Sequence, residues 1–183
     1  MAWWRRVFSD HRASWRAFAS AFLGTAPVVL AVNNLVGGVG GISGVSMQPT
    51  LNPGAARWMD DRVLLDRWSV VVNHRYNRGD VVILKTPEGT TQGGYSNVVK
   101  RIVALEGDFV RAKRGKDKGR VMRIPPGNCW VEGDNAQHSR DSNEFGPVPL
   151  ALIGARCMWV LLPPSRWGPI PADPTINHPP LAY

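Results

Sequence analysis

Along most of this chain, apolar residues come in short runs closed by glycine, proline or asparagine. Residues 62–65, 70–72, 80–85, 97–105, 108–112, 120–124, 129–132 and 154–162 are rich in Val and Ile and predict β-strands. Asn-Pro-Gly at 52–54, Arg-Gly-Asp at 78–80, Pro-Glu-Gly at 87–89, Glu-Gly-Asp at 106–108 and Pro-Pro-Gly at 125–127 punctuate them as turns. Short strands joined by such turns predict a mainly β fold, a curled antiparallel sheet or barrel. Within 97–105, alternation places Val98, Lys100 and Ile102 on one face and Val99, Arg101 and Val103 on the other.

One stretch breaks this rhythm. Residues 17–36 carry no charge and include Phe18, Phe22, Leu23, Val28, Val29, Leu30, Val32, Leu35 and Val36. A helix of that length matches the apolar thickness of a bilayer. A cleaved targeting peptide or a buried helix are the competing readings. A retained membrane helix is the expectation, because Trp3, Trp4 and Trp15 before it suit a membrane interface. Arg5, Arg6, Arg12 and Arg16 hold the N-terminus on the matrix or cytoplasmic side and send the chain beyond residue 40 across the bilayer. The organisation is then a basic segment at 1–16, a membrane helix at 17–36, a glycine-rich exit at 37–41, a β domain at 41–162 and a proline-rich, loosely docked tail at 163–183.

At 183 residues, 44% hydrophobic and 20% charged, the chain holds one folded domain and is not globally disordered. Net charge +8 suggests nucleic acid until it is located. Residues 1–16 sum to +3 and residues 111–123 to +6, leaving the other 154 residues at −1. The second segment, centred on Arg114-Gly115-Lys116-Asp117-Lys118-Gly119, reads as a solvated hairpin tip without the interleaved aromatics of a single-strand binder. Cys129 and Cys157 make no disulfide framework or zinc motif and are expected as separate buried thiols; no metal or cofactor is implied.

Four patches could carry chemistry. Ser46 follows a glycine-rich approach and precedes Pro49, so it sits on a turn with its backbone N–H exposed. Lys100, held among Val and Ile, is desolvated, which disfavours the ammonium and allows a neutral amine to take a hydroxyl proton. The polar stretch 130–148 is denser in hydrogen-bonding groups than a connector needs. Its His138, with Asp134 or Asp141, leaves a Ser-His-Asp arrangement open. Gly79-Asp80-Val81-Val82 enters a buried strand.

Together and in this order the patches resemble the conserved boxes of the type I signal peptidases, membrane-anchored serine endopeptidases that use a Ser/Lys dyad. The matching boxes are Ser46-Met47-Gln48-Pro49-Thr50, Gly79 to Val82, Lys100 to Asp108, and Gly133-Asp134-Asn135 with Ser139-Arg140-Asp141-Ser142 and Gly146-Pro147-Val148. The resemblance covers about residues 43–160. Within the family the last box is similar in wording to subunit 2 of the mitochondrial inner membrane protease. The short 108–128 connection lacks the extra β domain of many bacterial relatives, and Lys100 stands where the endoplasmic reticulum form has histidine.

The resemblance implies a fold and a set of roles. The fold is a signal-peptidase-like curled sheet with one N-terminal transmembrane helix. Ser46 is the nucleophile, Lys100 the general base, Ser139 a hydroxyl that positions the amine, Asp134 and Arg101 a supporting ion pair, and Asp141 a structural member of the last box. Gly41, Ile42, Ser43 and Gly44, with Asn97, Val98 and Val99, form two strand edges for an extended precursor. Two departures stand out. Gly44 occupies the position of a serine that helps bind the oxyanion in many bacterial members, and Asn143 replaces an arginine often paired with the last-box aspartate. The implied setting is the mitochondrial inner membrane with the catalytic domain facing the intermembrane space. The partners are precursor polypeptides, membrane lipid and the homologous subunit 1, with no nucleic acid. A catalytically silent subunit, a bacterial or plastid signal peptidase and a non-enzymatic binding barrel remain as alternatives.

Overall fold

The computed structural model describes residues 15, 21–29, 31, 35–54, 60–87 and 95–171. The chain divides into two units, Met1–Val36 and Gly37–Tyr183. In the first, residues 21–29 are helical and expose Phe22, Leu23, Val28 and Val29. The Thr25 hydroxyl donates back to the Ala21 carbonyl at 2.8 Å. The membrane helix expected over 17–36 falls partly on residues outside those described. Among the described residues no helix is long and apolar enough to cross a membrane. The basic stretch 1–16, apart from Trp15, and the tail beyond 171 also lie outside them.

The second unit is mainly β. Glycines have no side chain to favour a strand, yet Gly37–Gly41 forms β1, because it pairs along its whole length with β2, Arg62–Asp66. A Cβ on Gly37 would collide with the Leu65 carbonyl, so the glycines also let the two backbones lie close. The remaining strands are β3 (Val81–Pro87), β4 (Tyr95–Ala104), β5 (Phe109–Arg111), β6 (Val121–Arg123), β7 (Asn128–Glu132), β8 (Val148–Pro149), β9 (Ile153–Leu162) and β10 (Gly168–Pro169). The main sheet runs β1-β2-β9-β3-β4-β7-β8 with β10 beside β9, all pairs antiparallel, while β5 and β6 form a separate hairpin.

Apolar residues from both faces of this sheet are buried. One cluster gathers Ile42, Met47, Leu51, Val63, Val81 and Val160, with Val99 packed on it. A second gathers Val70, Val82, Leu84, Ile102, Val131 and Ile153, with Val98 against it. Strand β4 is therefore covered on both faces, Val98 and Ile102 lining one cluster and Val99 the other. Cys129 and Cys157 are free buried thiols in different clusters, and burial pushes both up to about 12.

Three expectations need correction. Residues 70–72 are not a strand but the end of a π-helical segment, Trp68–Val72; the Asp66 carboxylate accepts from the Ser69 N–H at 3.0 Å and turns the chain out of β2. The tail is not loosely docked as far as residue 171: β10 pairs with β9, and Arg166 is ion-paired to Asp61. The basic hairpin is not a solvated tip on both sides, since Arg114 is ion-paired to the fully buried Asp141.

Candidate active site

The turns that carry Ser46 hang between two fixed ends. At the start, the Ile42 N–H donates to the Asp61 carbonyl at 2.9 Å, continuing the β1–β2 ladder. At the end stands Asn52, whose left-handed φ of 50° suits asparagine better than most residues. Its backbone N–H donates to Asp61 Oδ2 at 2.8 Å, and its side-chain oxygen accepts from the Asp61 N–H at 2.7 Å. The Asn52 amide also donates to the Ile42 carbonyl at 2.6 Å. Arg166 closes the clamp on Asp61 and donates to the Thr50 carbonyl at 2.6 Å. Met47 and Leu51 plug the core beneath, which leaves the partly exposed Ser46 at the surface of a rigid turn. Gly44 has φ +96°, a region side chains rarely adopt, which explains glycine there.

Lys100 is 4% exposed, in the half of β4 that faces Val98 and Ile102. Burial lowers its pKa; nearby Asp141 opposes that shift and Arg114 adds to it, and the net direction is downward. Its amine makes no ion pair or hydrogen bond among the described residues. Arg101 stands opposite Glu132 across the β4–β7 ladder, so the register carries Lys100 alongside Gly133. Gly133 is also where the Ser46 turn touches the sheet. A Cβ built there would lie 2.5 Å from the Ser46 carbonyl oxygen and collide with Ser139 Oγ. The Asn135 N–H donates to that same Ser46 carbonyl at 3.0 Å, and the Asn135 amide to the Val45 carbonyl at 3.1 Å. The turn of Ser46, the strand of Lys100 and the loop of Ser139 thus meet at one glycine.

Asp141 anchors that loop. It is fully buried; burial would raise its pKa, but the Asn143 side chain, the Gly133 N–H, the Ser139 hydroxyl and the Asn143 N–H hold it below the ordinary carboxylate range. The Ser139 hydroxyl donates to Oδ2 at 2.8 Å, which leaves its lone pairs available to an amine. Arg101 and Asp134 form a bidentate pair at 2.9 and 2.6 Å. The third nitrogen of Arg101 donates to the carbonyls of Gly79 and Pro171, at 2.9 and 3.0 Å. The Gly79-Asp80 turn therefore serves to receive this guanidinium. His138 is exposed, with Nδ1 3.3 Å from the Asn135 amide oxygen; neither Asp134 nor Asp141 is its partner, so the Ser-His-Asp arrangement has no third member.

The expected strand edges take a definite form. At Arg101 β4 pairs with both β3 and β7 and beyond it with β7, but at Asn97, Val98 and Val99 it pairs, among the described residues, only with β3, so one edge there is open. On the other side β1 ends the sheet. Ile42 and Gly44 give their carbonyls to Asn52, at 2.6 and 3.5 Å, so alternation turns the backbone groups of Gly41 and Ser43 outward. Sequence reasoning passed over Asp61 and Arg166, read Asn52 only within Asn-Pro-Gly punctuation and Arg114 only within a solvated basic run, and gave Asn135 a place in the last box but no role.

Comparison with known proteins finds matches over most of the chain. The family described as signal peptidase, peptidase S26, matches residues 15–121. The chain is 40% identical to mitochondrial inner membrane protease subunit 2 of Danio rerio over 173 residues, 94% of this chain and 90% of the relative. It is 42% identical to subunit 2 of Mus musculus over 166 residues, covering 91% and 86%. It is 39% identical to mitochondrial inner membrane protease subunit 1 of Mus musculus over 137 residues, covering 73% and 74%. A four-box order read from the residues, a β scaffold that gathers those boxes around Gly133, and these matches lead to one conclusion: the chain belongs to the signal peptidase family, peptidase S26.

Proposed function

We propose that this chain is a serine endopeptidase that removes signal or sorting peptides from precursor proteins, with Ser46 as nucleophile and Lys100 as general base. An extended precursor segment lies between the outward edge at Gly41 and Ser43 and the open edge at Asn97 to Val99, gaining main-chain hydrogen bonds as an added strand. Ser46 Oγ attacks the scissile carbonyl carbon while its proton passes to the neutral Lys100 amine. The Ser46 N–H, without an acceptor among the described residues, faces the developing oxyanion. The Lys100 ammonium then protonates the leaving nitrogen as the C–N bond breaks. Lys100 next takes a proton from water, whose oxygen displaces Ser46 from the acyl group, and Ser46 recovers its hydrogen. The lone pairs left free on Ser139 Oγ would accept from the Lys100 amine during turnover and aim it.

The observation that carries this reading is a buried lysine, with no carboxylate bonded to its amine among the described residues, on the strand that meets the turn of Ser46 at Gly133. Its test is cleavage of a precursor peptide by the full chain in detergent: Ser46→Ala and Lys100→Ala each abolish turnover while the β-sheet circular dichroism is retained. A Lys100→Ala protein that cleaves at the parent rate ends the dyad reading.

Setting and partners are inferred from the relatives. The uncharged run at 17–36 and the exposed apolar side chains of 21–29 support anchorage in a membrane, and the names of the relatives support the mitochondrial inner membrane; the arginines at 5, 6, 12 and 16 favour the β domain lying toward the intermembrane space. The likeness to subunit 1 as well as subunit 2 supports pairing with a homologous subunit.

A further inference from the structure

We propose that Arg114, on the loop between β5 and β6, is a positioning residue of the active site: its guanidinium satisfies the buried Asp141 carboxylate and so keeps that carboxylate from claiming the Lys100 amine. The inference rests on the Ser46 and Lys100 reading above.

The docking of this loop is specific. Arg114 Nη2 lies 2.6 Å from Asp141 Oδ2, and Nη1 donates to the Ser139 carbonyl at 3.3 Å. The flanking residues fix it. The Lys113 N–H donates to Asn143 Oδ1 at 2.7 Å, and Lys113 Nζ pairs with Glu132 at 2.8 Å. Gly115, at φ +73°, lies so close to the Asn143 carbonyl that a Cβ would collide with it. Arg114 is 31% exposed although its neighbours in the basic run reach solvent.

Asp141 is a fully buried carboxylate that also influences Lys100. Its five donors are Arg114, Ser139, the Gly133 N–H, and the N–H and amide of Asn143. Arg114 is the one that brings a full positive charge. The other charged groups around the site are already committed. Arg101 and Asp134 close on each other, Glu132 is held by Lys113, Trp130 and Asn143, and Arg140 pairs with Glu144 at 3.3 Å on the surface. His138 is turned to Asn135. Without Arg114, the buried negative charge that holds the Gly133 N–H, on the residue alongside Lys100, has among the described residues one cation left to attract, and that cation is the protonated base. The two cationic side chains thus work against each other through one carboxylate.

The test is the pH profile of kcat/KM for the full chain on a fluorogenic peptide with a small residue before the scissile bond. In Arg114→Met the acid limb moves to higher pH, so that the rate below the limb falls on the order of threefold to tenfold while the plateau changes far less. Arg114→Lys, which keeps the charge, leaves the limb near its original place. Adding Asp141→Asn to Arg114→Met moves the limb back down. If Arg114→Met does not fold, Arg114→Gln is read in its place by the same criteria. A limb that stays put in the neutral variant, or a loss equal at every pH, overturns the proposal and makes Arg114 a structural residue. Lys100→Ala, measured alongside, separates the two readings: inactive Lys100→Ala with an unmoved limb overturns the role of Arg114 alone, and active Lys100→Ala overturns the dyad.

Discussion

Replacing Gly133 by alanine adds one methyl group at the point where the turn of Ser46, the strand of Lys100 and the loop of Ser139 converge. The new Cβ would sit 2.5 Å from the Ser46 carbonyl oxygen, about 0.9 Å inside ordinary contact. Rotation of Ser139 can remove its Oγ but not its Cβ, which lies 2.6 Å away, and the Ser46 carbonyl is backbone and fastened to the Asn135 N–H at 3.0 Å. Moving it far enough to admit the methyl stretches that hydrogen bond beyond useful length and shifts Ser46 relative to Lys100. Overpacking of this kind costs about 1–3 kcal/mol of stability, roughly 2–4 °C of melting temperature for each kcal/mol in a domain of this size. Catalysis suffers more, because a misplacement near 1 Å costs on the order of 100-fold in rate. The assay is kcat and KM on a precursor peptide beside a thermal melt. The expected result is kcat down about two orders of magnitude with KM little changed and a fold that still melts cooperatively. A Gly133→Ala enzyme with kcat within twofold of the parent refutes the convergence of these elements on Gly133.

Two further perturbations separate stability from activity. Lys100→Met should be inactive yet more stable than the parent at neutral pH. Because the folded-state pKa of Lys100 is depressed, the unfolded chain binds the extra proton, and parent stability rises with pH up to about the ordinary lysine value of 10.5. The melting-temperature advantage of the methionine variant is therefore greatest at low pH and fades toward that value; an advantage independent of pH would count against a depressed Lys100. Asp134→Ala leaves the nearly buried Arg101 without its bidentate partner, which costs about 3–5 kcal/mol in a denaturant melt, and a loss below about 1 kcal/mol, the scale of an exposed pair, would show the pair to be dispensable.

The face of β4 that carries Lys100 was legible because it rests on local rules. Alternation along 97–105 put Lys100 between Val98 and Ile102, and the strand keeps that alternation because its two faces meet different parts of the core. The turns at Gly79, Gly107 and Gly127 were legible for a similar reason, since each has the positive φ that glycine permits. The misses are non-local. Gly37–Gly41 has no strand-forming side chains and becomes a strand only by pairing with β2. Residues 70–72 look extended, but one Asp66 hydrogen bond starts a helix ahead of them. Arg114 looked like one charge in a solvated run because its partner, Asp141, is 27 positions away, and no pattern in either segment announces the other. Asn143, read as the loss of an ion pair, instead holds the other oxygen of the same carboxylate while Arg114 provides the cation from elsewhere.

The clamp of Arg166 on Thr50 and Asp61 reaches across 116 and 105 positions. Its consequence concerns biogenesis. A growing polypeptide that has exposed only its first hundred or so residues already owns the serine and the lysine, yet lacks the bolt that stiffens the serine's turn and the carbonyl of Pro171 that receives Arg101. The turn of Ser46 is therefore stiffened only once a segment far along the chain has docked, which ties its rigidity to completion of the β domain.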